Sequence, residues 1–324
     1  MTTAADPHGS QGSSEPAGGT VVKHSALLFS DDEDFLAGVM PILRRGIEAG
    51  DATFAITAKK ETDILRQALG EDSSAVHFMK PKDVYINPVR AMAAFAAMAR
   101  TLGPRRAWVV AADDWIKHPD ALEWARYDSL LNTTFPDVDF HGFCCYNVTT
   151  LPTGFIKVMR QTHPEILLGA EAEPSAHYLP PEEFVARLDR RPLPPCPESA
   201  ASMRVVPGEL HAVRAFVAEQ AKRCGITGDA LRCLLIAVTE AATNAIRHGA
   251  APVIVKAWPD DGLVCEVTDS GNWQPEKMIT WEPPESALER GFGLWGIGML
   301  CDTVQLRTGP DGTTVRLRVR PEKP

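Results

Sequence analysis

The sequence has no apolar run long enough to cross a bilayer, no basic-then-apolar leader, no C-x-x-C pair and no surplus of basic side chains. Each absence excludes something. A membrane helix needs roughly 20 mostly apolar residues in a row and a secretory signal needs a charged start followed by an apolar stretch, so a cytoplasmic protein with no membrane attachment is expected. Lys and Arg number 33 against 42 Asp and Glu, a net charge of -9, which leaves no general basic surface for holding nucleic acid by its phosphates. The seven cysteines, Cys144, Cys145, Cys196, Cys224, Cys233, Cys265 and Cys301, are odd in number and scattered. They speak against a zinc site and against a disulfide framework, and read as small buried apolar residues. A phosphate-binding Walker sequence is missing too. The first apolar run is followed by Ser30 to Phe35, where four acidic side chains open a helix; carboxylates suit that helix end but would repel a phosphate.

What is present divides the 324 residues into two halves, each long enough for a core. Residues 1–20, rich in Gly, Ser, Pro, Ala and Thr, cannot repay the entropy of ordering and are expected to be a disordered tail. From His24 onward, apolar runs at 24–30, 52–58, 75–80, 107–112 and 140–148 alternate with longer helical stretches. That alternation predicts, for 21–187, a mainly parallel sheet with helices on both faces. Sites in such sheets lie at the carboxyl ends of the strands. Aromatic residues mixed with a few ionisable ones make Asp114, Trp115, Arg126 and Tyr127, then Tyr146 and His163, candidates for a small-molecule pocket, although aromatics on a helix serve a core equally well. Residues 188–201 contain the proline-dense Arg190 to Ser199 and are expected to form a semi-rigid linker.

Within 202–321, Leu231 to Gly249 repeats apolar residues at helical spacing. Glu240 and Asn244, four apart, share one face of that helix. Alone they are better read as a solvated polar face. His248 continues the row but sits near the helix end, where a cap is the simpler account. Two β runs joined by Pro259 to Gly262 follow, the second ending in Asp269, Ser270 and Gly271. Then come Arg290, Gly291, Gly293, Gly296 and Gly298, and Gly312 and Thr313 on a last hairpin. Glycines running into a helix let backbone N–H groups approach an anion. An aspartate at a strand end can accept from an exocyclic amine. A carboxylate beside an amide can hold Mg2+ and orient a nucleophile. Together the parts suit a magnesium nucleotide, with Arg290 a further candidate for its terminal phosphate.

Two resemblances account for most of the chain. The segments HSALLFSDDEDF, WARYDSLLN, CCYNVTTLP and RQTHPEILLG resemble the MEDS sensory domain, which implies a RecA-like mainly parallel α/β sheet and a small organic ligand. The order Glu-x-x-x-Asn, Asp-x-Gly, Gly-x-Gly-x-x-Gly-x-Gly, Gly-Thr-Thr resembles the GHKL or Bergerat ATPases, an α/β sandwich, and among them the anti-sigma-factor serine kinases most of all. The second resemblance implies ATP and Mg2+, with Glu240 as the catalytic residue, Asn244 on the metal, Asp269 and Gly271 at adenine, Gly293, Gly296 and Gly298 at phosphate and Thr313 near the base. The partners implied are a sigma factor and an anti-sigma antagonist, and the resembled kinases are commonly homodimers. Asn272 and Trp273 replace the second half of the usual Asp-x-Gly-x-Gly, which bears on whether kinase activity is retained. Two alternatives stay open: a non-catalytic regulator whose nucleotide shapes a partner surface, and an atypical sensor histidine kinase. The latter lacks a histidine in a dimerisation hairpin, since His211 falls in the domain's own first helix.

Overall fold

The computed structural model describes residues 22–102, 105–112, 120–134, 139–169, 171–272 and 292–321. The apolar runs of the first half become parallel strands, because runs buried on both faces must be covered by helices on both sides. In chain order these are β1 (Val22–Phe29), α1 (Asp32–Glu48), β2 (Ala52–Thr57), α2 (Lys59–Leu69), β3 (Val76–Met79), α3 (Pro81–Val84), α4 (Pro88–Leu102), β4 (Ala107–Ala112), α5 (Ala121–Leu130), β5 (Phe140–Asn147), α6 (Thr153–Thr162), β6 (Glu165–Leu168), β7 (Glu171–Pro174) and α7 (Pro181–Asp189). The sheet runs β3-β2-β4-β5-β1-β6-β7 and is parallel except for β7. The edge pair β6 and β7, four residues each, was not expected from the sequence, since strands that short carry too little pattern to read. The acidic segment is a helix start: Asp31 caps α1 by accepting from the N–H groups of Glu33 and Asp34 at 3.0 and 2.9 Å.

The second half supplies β8 (Ala201–Arg204), α8 (Leu210–Arg223), α9 (Gly228–His248), β9 (Ile254–Pro259), β10 (Leu263–Asp269), α10 (Phe292–Leu300), β11 (Thr303–Gly309) and β12 (Gly312–Val319). Its sheet runs β11-β12-β10-β9-β8, antiparallel throughout. Val213 and Val217 of α8, Leu234 and Val238 of α9, and Leu294 and Ile297 of α10 share one core with Val255, Val267 and Leu317 of the sheet. The proline-dense connection is tied to this sheet: Arg316 and Arg307 donate to the carbonyls of Pro194 and Arg191, each at 2.8 Å.

The two halves meet along α10. Trp295 and Met299 pack against the core of the first half, around Val89 and Phe95. Asn87 donates to the Cys301 carbonyl at 3.0 Å and Arg90 Nε to that of Met299 at 2.7 Å, so side chains of the first half satisfy carbonyls at the end of a helix of the second. Beside them Asp120, almost buried, accepts from Thr303 at 2.6 Å and from Arg320 at 3.2 Å. Among the described residues no helix is long and apolar enough to cross a membrane.

Candidate functional site

The sheet-facing side of α9 is built from small residues, Ala237, Ala241, Ala242 and Ala245, with Leu234 and Val238, all buried. Small side chains let the helix lie close to the sheet. Its threonines fold back on the helix, Thr239 donating to the Leu235 carbonyl and Thr243 to that of Thr239. Glu240 and Asn244 stay half-buried on an adjoining face. The first turn of α10 lies against them: a Cβ on Gly293 would stand 2.3 Å from Glu240 Oε1 and 3.2 Å from Asn244 Nδ2. A glycine lets the helix backbone come this close while Glu240 keeps its position. The chain thus brings a carboxylate, an amide and a bare stretch of helical backbone to one point.

A second group of residues closes on Asp269, which is 8 % exposed at the end of β10. Its Oδ1 accepts from the N–H of Gly271 at 2.7 Å and from that of Ala250 at 3.3 Å. A Cβ on Gly249 would fall 2.3 Å from the same oxygen, and one on Gly271 2.8 Å from it. Across the sheet Asp269 pairs with Thr313, whose Oγ1 is buried without a hydrogen-bond partner. Leaving such a hydroxyl unsatisfied costs about 1–3 kcal/mol. A flat ligand edge carrying both donors and acceptors, such as that of an aminopurine, would satisfy the hydroxyl and use the carboxylate together. The residues present therefore fit the adenine that the sequence implies.

The remaining glycines divide. Gly296 lies on α10 between Gly293 and Gly298. Gly298 is turned toward the first half, where a Cβ would meet Val89 Cγ2 at 2.7 Å, so on that side it packs helix against helix. Arg290 and Gly291 lie outside the described residues, as do Asp114 and Trp115.

Of the first-half candidates, Tyr127, Tyr146 and His163 come together, but on the face of the sheet covered by α5 and α6 rather than beyond the strand ends. Tyr127 and Tyr146 line a cavity of ≈ 20 Å3 with Asp128, which accepts from the Tyr146 hydroxyl at 2.7 Å. Burial pushes both phenols and the Asp128 carboxyl up and holds the His163 imidazole down. Arg126 stands apart, held by Glu123 at 2.9 Å and Asp189 at 2.6 Å in a buried ion-pair cluster. Sequence reasoning missed His24, Asp128 and Cys144, which share this face. Cys144 lies two residues before Tyr146 on a strand, and that spacing alone places the two on one side.

Residues 204–319 match the model of the histidine kinase-like ATPase domain, and residues 23–164 that of MEDS, the MEthanogen/methylotroph, DcmR Sensory domain. Comparison with curated proteins gives no match. Among solved structures, the chain is similar to the RsbU and RsbW domains of Rv1364c from Mycobacterium tuberculosis, at 22 % identity and a TM-score of 0.29 over 39 % of this chain and 33 % of that one. It is also similar to the histidine kinase domain of the blue-light activated histidine kinase EL346 from Erythrobacter litoralis, at 18 % identity and a TM-score of 0.24 over 38 % of this chain and 65 % of that one. The chain thus spans a third of the first structure's length and just under two thirds of the second's. On the two domain matches and the two sheets described above, the chain joins a MEDS domain, residues 23–164, to a histidine kinase-like ATPase domain, residues 204–319.

Proposed function

We propose that this protein is a cytoplasmic ATP-dependent regulator. Its C-terminal domain phosphorylates a serine or threonine of an anti-sigma antagonist and otherwise sequesters a sigma factor, under control of a small molecule sensed by the MEDS domain. The observation that carries the catalytic part is the convergence of Glu240, Asn244 and Gly293 on one point. Bound ATP with Mg2+ supplies the phosphoryl group and neutralises its charge. Asn244 would hold the ion through its amide oxygen, Asp269 and Thr313 the adenine edge, and the first turn of α10 the phosphates. Glu240 orients the attacking hydroxyl by accepting its hydrogen bond and then takes its proton.

The regulatory part rests on α10. The first turn of α10 lies against Glu240 and its end rests on Asn87 and Arg90 of the MEDS domain, so a shift of α4 is felt at the nucleotide end. A second reading, nucleotide-dependent partner binding without phosphoryl transfer, is favoured by Asn272 and Trp273, the latter standing where the resembled kinases keep the second glycine of Asp-x-Gly-x-Gly.

A pull-down with and without ATP identifies the partner, and incubation with γ-labelled ATP then separates the readings. Label on a partner serine or threonine supports the kinase. ATP-dependent capture without label leaves the binding reading standing, and acid-labile label on histidine revives the histidine-kinase alternative.

A further inference from the structure

The MEDS domain gathers four metal-ligating side chains in its interior. His24 comes from β1, Asp128 from α5, Cys144 from β5 and His163 from the residue that caps α6, and one donor atom from each lies within 4.8 Å of all the others. His24 Nε2 is 3.3 Å from Cys144 Sγ and 3.9 Å from Asp128 Oδ1, Cys144 Sγ is 3.7 Å from Asp128 Oδ1, and His163 Nε2 is 3.7 Å from Asp128 Oδ2. The imidazole–carboxylate distances are too long for hydrogen bonds. The four donors enclose one point loosely: the ligand atoms of a coordination tetrahedron stand about 3.3–3.7 Å apart, so seating an ion needs a small turn of Asp128, whose two oxygens here face different imidazoles.

The surroundings are also those of a ligand set. His163 Nδ1 is 2.9 Å from the Met159 carbonyl, a bond that places the proton on Nδ1 and leaves Nε2 as a lone pair facing the cluster. That Nε2 is wholly buried and has no hydrogen-bond partner. The Tyr146 hydroxyl orients the Asp128 carboxylate at 2.7 Å. Charge closes the argument. No Lys or Arg pairs with the buried Asp128 among the described residues, whereas a divalent ion with one carboxylate, one thiolate and two neutral imidazoles makes a centre of net charge zero, the kind burial tolerates. His24, Asp128 and Cys144 border the cavity already described, which leaves room for a water-sized atom beside the cluster.

We propose that His24, Asp128, Cys144 and His163 bind one zinc-like divalent transition-metal ion inside the MEDS domain. The mixed nitrogen, sulfur and oxygen set suits zinc or cobalt and disfavours magnesium or calcium. Binding releases the Cys144 thiol proton to solvent. This site is independent of the nucleotide cleft and of any kinase activity.

The test uses the full chain, stripped with a chelator and titrated with Co2+. The expected result is one equivalent bound, with a thiolate-to-cobalt charge-transfer band and the strong visible absorption of four-coordinate cobalt, both bleached by Zn2+. Cys144→Ser abolishes the charge-transfer band, while Cys145→Ser, whose thiol packs on the opposite face of β5, keeps it. Tyr146→Phe, which removes no ligand, weakens Zn2+ binding roughly tenfold or more. A folded wild-type protein with no such band overturns the proposal, as does a band that survives Cys144→Ser. Should Cys144→Ser fail to fold, unchanged affinity in Tyr146→Phe overturns it in the same way.

Discussion

Asp128 and Asp269 are both buried carboxylates, yet they are held by different means. Asp269 accepts backbone N–H groups from Gly271 and Ala250, next to the close turn of Gly249. Asp128 is held by side chains brought from other elements: the Tyr146 hydroxyl, the Cys144 thiol and two imidazoles at longer range. An acceptor fixed by backbone keeps its position whether or not a ligand is present, which suits a cleft that is filled and emptied. A carboxylate fixed by side chains keeps its position only while every contributor stays in place, so a change at any one of them is felt across the domain. On the proposed function, the Asp128 site is the one suited to respond and the Asp269 site the one suited to stay ready.

The largest test of that contrast is chemical. Glu240→Gln keeps the shape of the cleft and removes the base, so phosphoryl transfer to the partner is expected to fall about 10²–10⁴-fold while ATP affinity changes little. Partner regulation that persists without turnover favours the binding reading. Next in size, Asp269→Asn is expected to weaken ATP binding about 10–100-fold by calorimetry, the worth of one charged hydrogen bond. Its thermal midpoint should change little, because an amide oxygen still accepts from the Gly271 N–H. Asp128→Asn should leave ATP affinity untouched, and an equal loss from both substitutions would erase the distinction between the two carboxylates.

Asn87→Ala probes the junction between the halves. It strips the donor from the buried Cys301 carbonyl and is expected to cost about 1–3 kcal/mol in denaturant unfolding. The loss should loosen α10 and so reach nucleotide binding, although Asn87 belongs to the other domain.

How much of this could be read from the chain follows the same division. Glu240 with Asn244, and Asp269 with Gly271, are neighbours along a helix and at a strand end, so spacing alone displayed them. The alternating runs likewise displayed the parallel sheet, since burial on both faces forces continuous apolar strands. His24 and Cys144 are 120 residues apart and Asn87 and Cys301 are 214 apart; no local pattern links them, and the scattered cysteines argued against a metal. Gly298 shows the limit within a single motif, because the glycine string could not tell which of its members lies against Glu240 and which against another helix.

That last position offers the smallest effect and the sharpest geometry. Glycine to alanine in a helix gains up to about 1 kcal/mol from propensity, but a Cβ at Gly298 would stand 2.7 Å from Val89 Cγ2. Crowding of that kind costs about 1–3 kcal/mol, so Gly298→Ala is expected to be neutral to mildly destabilising. Val89→Ala on its own opens a small cavity and destabilises. Combining the two replaces the lost methyl groups with the new one, and the double variant is expected to be more stable than the sum of the single effects by about 1 kcal/mol or more, a coupling that a double-mutant cycle measures. Strict additivity would mean that α10 does not bear on α4. With coupling present, repeating the cycle with saturating ATP asks whether the contact changes with nucleotide, because Gly293 and Gly298 lie on one short helix and cannot shift independently.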